Sequence, residues 1–567
     1  MQSLKLVSLE KITQKPALLF LLFWLMILVL YALSWRNGFY MDFIASIENM
    51  DRLPFFEYIN QADVTVTASF YQVTQSLIYF LLKIFGIHPL PWFLLFTALF
   101  AFTGVLIFQF FKKFFSISGW QVPPLLPLFG VLFVLFAPIS AEVVVWKACL
   151  QYHPAAIVIF SILIWTLRFI ETKDKRYLFF IIISYAISTM MLEIFYLTPA
   201  FVFAISLSLL MAKRISAQQF KSVLLKIFVP ILMIWCLYLL TYFFIFDKWI
   251  AHYNIGISNS FEPVNLLGKL YKIVLHVLFF EYLLPFNHRR TVLEFVSQPG
   301  FVVPFTLLIT FLLIWGLIKY NKLSPRLRMI ILLFLLGIVS CLIVIPLSFN
   351  DTNLVYNDRY YYLPSIFLFM MLACILLPST YPYKWHRLII PVAYLVFSIA
   401  ITSSFVLKFR NASKMVSALT HNYQFQDADT VVLLNLPNNF DGIFMIPAFE
   451  SDHFNIHYAM NTGDSLKSKI YNVSSYNIKS PYDGAHVVVL DSMKFKVILN
   501  QDGSWWWFKA IGASDYENEL FKVSFLEHNF SYLLELKAPL SARSKILYHA
   551  NLEWKELDRS KIGAEQW

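Results

Sequence analysis

Apolar runs long enough to cross a bilayer recur along the first 410 positions of this chain, separated by short segments in which lysine and arginine collect. A helix rises about 1.5 Å per residue, so roughly 20 apolar residues span a hydrocarbon core of about 30 Å. The pattern predicts about eleven spans, near residues 16–35, 90–111, 122–138, 154–170, 177–193, 195–212, 225–246, 301–319, 329–349, 362–378 and 388–408. Loop charge then orients them. With a cytoplasmic amino terminus, Lys112-Lys113, Arg168 with Lys173, Lys175 and Arg176, Lys213-Arg214, Lys319 to Arg328, and Lys384 with Arg387 all fall on the cytoplasmic side, as the positive-inside bias requires. The first run follows Lys5, Lys11 and Lys15, but it is longer than a signal-peptide core and lacks a small-residue cleavage site, so it is expected to stay attached.

Two apolar segments are not counted as spans. Leu266–Pro285 carries Lys269, Lys272, His276 and Glu281 at near-helical spacing, and counting it would move Lys319 to Arg328 to the other face. It reads as an interfacial or re-entrant helix on the outer surface. Thr65–Phe85 keeps a helical period before Gly86-Ile87-His88-Pro89 and reads as a second amphipathic helix there. After Arg410 the pattern shortens to β-branched and aromatic runs at Thr430–Leu436, Val487–Leu490, Lys494–Leu499, Trp505–Lys509, Phe521–Leu526 and Tyr532–Leu536. Asn500-Gln501-Asp502-Gly503 is expected to join the third and fourth as a hairpin, because Asp-Gly tolerates the positive φ of a tight turn. The fold class is therefore mainly α: a polytopic transmembrane helical bundle over residues 1–410, followed by a β-rich domain over 411–567. An odd number of spans makes that domain extracytoplasmic. No solenoid-type repeat or low-complexity linker interrupts the chain.

Composition sharpens the class. Apolar residues make up 59% and charged residues 14% of the chain, against roughly 45–50% and 25% in soluble domains. An integral membrane protein follows. The net charge of +11 sits mostly in short loops, where it orients helices, and nucleic acid is not an expected partner. Cys149, Cys236, Cys341 and Cys374 give no zinc pattern and no disulfide framework.

Charged groups beside such apolar segments need a partner or a task. On the predicted outer face the first loop offers Asp42, Glu48, Asp51 and Asp63. Asp42 stands apart, a few residues past the first span in the apolar setting Phe39-Tyr40-Met41-Asp42-Phe43, whereas Glu48 and Asp51 read as solvated loop acids. Glu142, Trp146, Lys147, Gln151, Tyr152 and His153 follow the third span, and Glu193 with Tyr196 lies at the tight turn between the fifth and sixth. Glu193 has two readings, a structural ion pair or a functional carboxylate. His288, Arg289 and Arg290, then Asp351, Asn357, Asp358, Arg359 and Tyr360 to Tyr362, complete the set. Arg359 can bind a lipid phosphate through paired donors, with tyrosines anchoring at the interface, or can be a snorkelling arginine in an aromatic belt.

A carboxylate on one outer loop and cations on others suit transfer of a sugar from a lipid phosphate to an acceptor hydroxyl. The arrangement resembles the GT-C superfamily of polytopic glycosyltransferases, which use polyprenyl- or dolichyl-phosphate sugars. The resemblance rests on order: one span, then Asn37-Gly38-Phe39-Tyr40-Met41-Asp42, an amphipathic helix ending Phe85-Gly86-Ile87-His88-Pro89, a second span, Pro138 to Trp146, Leu192-Glu193 to Pro199, and Asp358-Arg359-Tyr360-Tyr361-Tyr362-Leu363-Pro364. The last stretch is similar to the Arg-Tyr-x-Tyr-x-Pro type of protein O-mannosyltransferase-like members. The resemblance covers roughly residues 10–408. It implies a catalytic base at Asp42 and a donor-phosphate site at Arg359, beside which Tyr360, Arg289 and Arg290 are candidates. Glu142, Lys147, His153, Glu193 and Asp358 are candidates for substrate binding. Two departures stand out: Met41-Asp42 replaces a pair of adjacent acids, and Ser69-Phe70-Tyr71 replaces an Arg-Pro. No metal site is assigned, and a divalent cation is left open. The expected partners are the bilayer, the lipid-linked donor and a glycan, lipid or protein acceptor. A transporter or flippase for a lipid-linked glycan, or a non-catalytic lipid-sugar binder, are the alternatives. The cysteine-free C-terminal domain suits a bacterial inner membrane, while Asn411-Ala412-Ser413, Asn472-Val473-Ser474 and Asn529-Phe530-Ser531 keep an endoplasmic reticulum location open.

Overall fold

The computed structural model describes residues 13–39, 43–64, 70–247, 263–278, 295–345, 357–378, 385–446, 451–480, 482–499, 504–505, 515–526 and 531–567, with residues 249 and 292. Asp42, Arg289 and Arg290 lie outside them, and so do the side chain of Asp63 and the whole of Asp351.

The helices are α1 (Pro16–Leu30), α2 (Phe43–Arg52), α3 (Phe55–Val64), α4 (Gln72–Phe85), α5 (Pro89–Ile117), α6 (Leu125–Leu135), α7 (Ile139–Val145), α8 (Tyr152–Thr172), α9 (Arg176–Ser188), α10 (Thr198–Met211), α11 (Ala217–Phe246), α12 (Pro263–Val277), α13 (Pro299–Ile318), α14 (Pro325–Cys341), α15 (Tyr362–Leu376), α16 (Ile389–His421) and α17 (Ser451–Thr462). Seven described helices are long and apolar enough to cross a membrane, or eight if the bent pair α6–α7 is one span. Local chemistry sets many of their starts. Proline opens α1, α5, α13 and α14, where a missing N–H costs nothing. Ser216 and Gln219 form a reciprocal capping box at α11, with bonds of 3.1 and 2.9 Å.

Two compact units divide the chain: residues 1–35 with 53–405, and residues 36–52 with 406–567. In the first unit α5 is the central helix, packed against α1, α6 and α8, and α15 packs against α6 and α14. Its core is aromatic, with Phe96, Phe100, Phe110, Phe111 and Phe114 fully buried on α5. The segment expected to lie at an interface is the helix α12, yet His276, in its polar stripe, is buried. The first loop is also more ordered than a plain connection, since α2 and α3 precede the expected amphipathic helix, seen as α4.

The second unit is β-rich, as its short apolar runs imply. Its strands are β1 (Thr430–Leu433), β2 (Leu436–Phe440), β3 (Ile443–Phe444), β4 (Lys469–Asn472), β5 (Ser475–Ile478), β6 (Ala485–Val489), β7 (Lys494–Leu499), β8 (Ser504–Trp505), β9 (Tyr516–Glu517), β10 (Phe521–Phe525), β11 (Ser531–Leu536), β12 (Ser544–Ala550), β13 (Glu553–Glu556) and β14 (Glu565–Gln566). They form sheets of order β13-β12-β1-β4, β14-β6-β7-β11-β10-β9 and β3-β2-β5-β8. β1 runs parallel to β4 and β12, and β2 parallel to β5. Parallel neighbours need a long crossover, and α17 lies in the one between β1 and β4. Residues 500–503, where a hairpin turn is expected, lie outside the described residues, and the strands on either side of them pair with other partners. β7 is flanked by β6 and β11 in one sheet, so both its edges are taken, while β8 pairs with β5 in another.

Candidate functional site

The candidate site begins at a broken helix. Pro138 has no N–H to continue the ladder after α6, and α7 departs at 66°. The carbonyls freed at the break find side-chain donors: Ser140 Oγ donates to Val134 O (2.8 Å) and Thr402 Oγ1 to Phe136 O (2.7 Å). Without water to bind them, such carbonyls need protein partners. The bend presents Glu142, on the short α7, to the 3-10 turn Asp358–Tyr361 that leads into α15.

There Glu142 is held by Arg359 twice. The backbone N–H of Arg359 donates to Glu142 Oε2 (2.8 Å), and its Nη1 donates to Oε1 (2.5 Å). Both side chains are largely buried, 8% exposed for Glu142 and 15% for Arg359. The guanidinium carbon lies 4.6 Å from the Trp146 ring centre and 4.7 Å from that of Tyr360, so the cation is flanked by two aromatic faces. Beside this pair, Asp358 Oδ1 lies 2.9 Å from His276 Nε2 on α12, and the His276 ring meets Tyr361 edge-on at 4.8 Å. Glu142 and the consecutive Asp358, Arg359 and Tyr360, far from it in sequence, thus share one largely buried polar cluster. His276 and Trp146 complete it. Only the helical spacing of the α12 polar residues hinted at His276, and nothing in the sequence paired it with Asp358.

The other candidates are placed differently. Lys147 is buried, its Nζ 3.3 Å from Val145 O. His153 is fully buried among Phe96, Phe100 and Tyr362, and its Nε2 lies 3.1 Å from Val143 O. The structure thus puts His153 in the packing that steadies α7 rather than at an open surface. Glu193 opens a 3-10 turn and is 1% exposed. The Tyr71 hydroxyl lies within 2.7 Å of both its carboxylate oxygens, with the rings of Tyr196, Tyr238 and Tyr242 packed together nearby. Tyr71 therefore serves as a carboxylate partner for Glu193. Glu48 is a surface acid paired with Arg52 at 2.6 Å. Among the described residues no group of three or more His, Cys, Asp and Glu side chains is disposed to hold a metal ion.

No known protein family matches the chain, and no curated protein matches it.

Proposed function

We propose that this chain is a membrane glycosyltransferase of the GT-C type, with about eleven spans by its apolar pattern, acting on the extracytoplasmic face of a bacterial inner membrane. It would move a sugar from a polyprenyl-phosphate donor to a glycan, lipid or protein acceptor. The observation that carries this reading is Arg359. Glu142 grips one Nη, Trp146 and Tyr360 flank the plane, and the Tyr360 hydroxyl is a distant 3.4 Å from Nη2. Those contacts use fewer than half of the guanidinium's donors, leaving a pre-oriented cation suited to a phosphate oxygen.

In the reaction the acceptor oxygen attacks the anomeric carbon as its proton passes to the Asp42 carboxylate. The bond from that carbon to the phosphate oxygen breaks, and its electron pair leaves with the phosphate. Arg359 stabilises the charge that grows there, so the leaving group needs no proton. Inversion follows from the single displacement. Asp42→Asn is expected to lower transfer from a polyprenyl-phosphate sugar by roughly 10²- to 10⁴-fold while leaving expression and helix content intact. Full transfer by that variant would remove the proposed base.

The bent α6–α7 pair gives a transporter its best argument, because transporters build midplane sites on broken helices in repeated halves. Among the described residues there is one such bent pair, not two in corresponding positions. The transferase reading is therefore preferred.

A further inference from the structure

The turn that carries Arg359 is gripped from two elements. It is a 3-10 turn of four residues, Asp358–Tyr361. So short a turn has few ladder bonds of its own, and of poorer geometry than an α-helix, so its place is set by what its polar groups meet. From α7, Glu142 accepts from the Arg359 N–H and Nη1. From α12, His276 meets the neighbouring residue: its Nε2 lies 2.9 Å from Asp358 Oδ1, and both side chains are buried. An ionised carboxylate only accepts, so Nε2 is the nitrogen that carries the proton. The His276 ring also stands edge-on to Tyr361, ring centres 4.8 Å apart. His276 therefore touches the first and the last residue of the turn. α12 is itself seated against α13, α14 and α15, so these contacts tie the turn to a packed helix.

We propose that His276 is a positioning residue for the donor-phosphate cation. It acts through Asp358: by holding the residue next to Arg359 it keeps the guanidinium in place between Trp146 and Tyr360. The inference rests on the function proposed above, in which Arg359 receives the phosphate of the lipid donor. It makes α12, whose polar stripe suggests an interfacial helix, part of the frame of that site. Small displacements of a binding group cost large factors in what it binds or accelerates.

The bond to Asp358 and the contact with Tyr361 separate by substitution. His276→Gln keeps an N–H donor and removes the ring, whereas His276→Phe keeps a ring and removes the donor. The readout is binding, without turnover: the full chain in detergent is titrated calorimetrically with farnesyl phosphate, a short isoprenyl monophosphate. The unaltered chain is expected to bind it and Arg359→Gln to lose it. His276→Phe should weaken binding on the order of tenfold, and His276→Gln should restore it. Asp358→Leu removes the acceptor from the other side and should weaken binding to the same extent, with His276→Phe/Asp358→Leu no weaker than either alone. Restoration by phenylalanine but not by glutamine would overturn the inference, because ring packing and not the bond would then hold the turn. Additive losses in the double variant would overturn it too. Undiminished binding by both His276→Phe and Asp358→Leu, while Arg359→Gln binds nothing, would remove the positioning role and leave the proposed function standing. Undiminished binding by Arg359→Gln, or none by the unaltered chain, would remove the phosphate role of Arg359 that carries the proposed function, and the positioning role with it.

Discussion

Glu142 and Arg359 pose the sharpest question at the scale of single residues. Two charges taken from water into this setting are stable only while each keeps the other, and removing one partner typically costs about 3–5 kcal/mol. Glu142→Gln is therefore expected to destabilise the purified protein by roughly 3 kcal/mol, read from thermal unfolding in detergent. Glu142→Gln combined with Arg359→Gln should cost less than the sum of the two single changes, because the double variant leaves no lone charge. Additive losses would show that the pair is not coupled. How much of this was legible varies by residue. The cation at 359 stood out because asparagine, aspartate, three tyrosines and a proline surround it in sequence. Its partner 217 positions earlier did not, since nothing in one sequence says which buried acid meets which buried base. The same holds for His276 with Asp358, and for Tyr71, whose hydroxyl meets the Glu193 carboxylate.

Elements were easier to read than their ends. Each apolar run expected to span the membrane contains a helix among its described residues, from α1 to α16, because continuous hydrophobicity leaves the backbone few other ways to satisfy itself, but seven or eight of these helices are long and apolar enough to cross. Length is where the reading loosens: α1 and α9 stop after 15 and 13 residues and fall among the shorter apolar helices. The break between α6 and α7 was hidden inside one apolar run. Pro138 signals it, but one of the carbonyls freed at the bend, that of Phe136, is capped by Thr402, distant in sequence. Thr402→Val keeps the side-chain shape and removes the donor. It is expected to cost roughly 1–2 kcal/mol in thermal unfolding, and an unchanged transition would mean that the carbonyl finds another donor. In the β unit the strands with alternating or β-branched runs were visible. The pairing expected across Asp502-Gly503 is not the one β7 makes, because turn chemistry is local, whereas the two edges of β7 are claimed by strands whose positions no local signal gives.

The largest discrepancy is at the scale of the whole chain. A boundary near residue 410 follows from the change in composition, and the contacts change at nearly the same place, after Phe405. Composition could not show that residues 36–52 leave the membrane-type unit and join the other, because that choice is made by tertiary packing of a short amphipathic helix rather than by its own sequence. The assignment has a consequence for cooperativity. Segments of one unit open together, and protection from hydrogen exchange reports which segments those are. Trp554 anchors the second unit through its bond to Leu419 O and its contacts with Phe425 and Phe454. Trp554→Ala should therefore weaken protection of β1, β12 and α2 in parallel, while α5 in the first unit stays protected. Exchange measured by mass spectrometry on the full chain checks this directly. If α2 kept its protection while β1 and β12 lost theirs, the first loop would belong with the helices after all. Parallel loss would tie the fate of α2 to a strand cluster roughly 400 to 500 residues further along the chain.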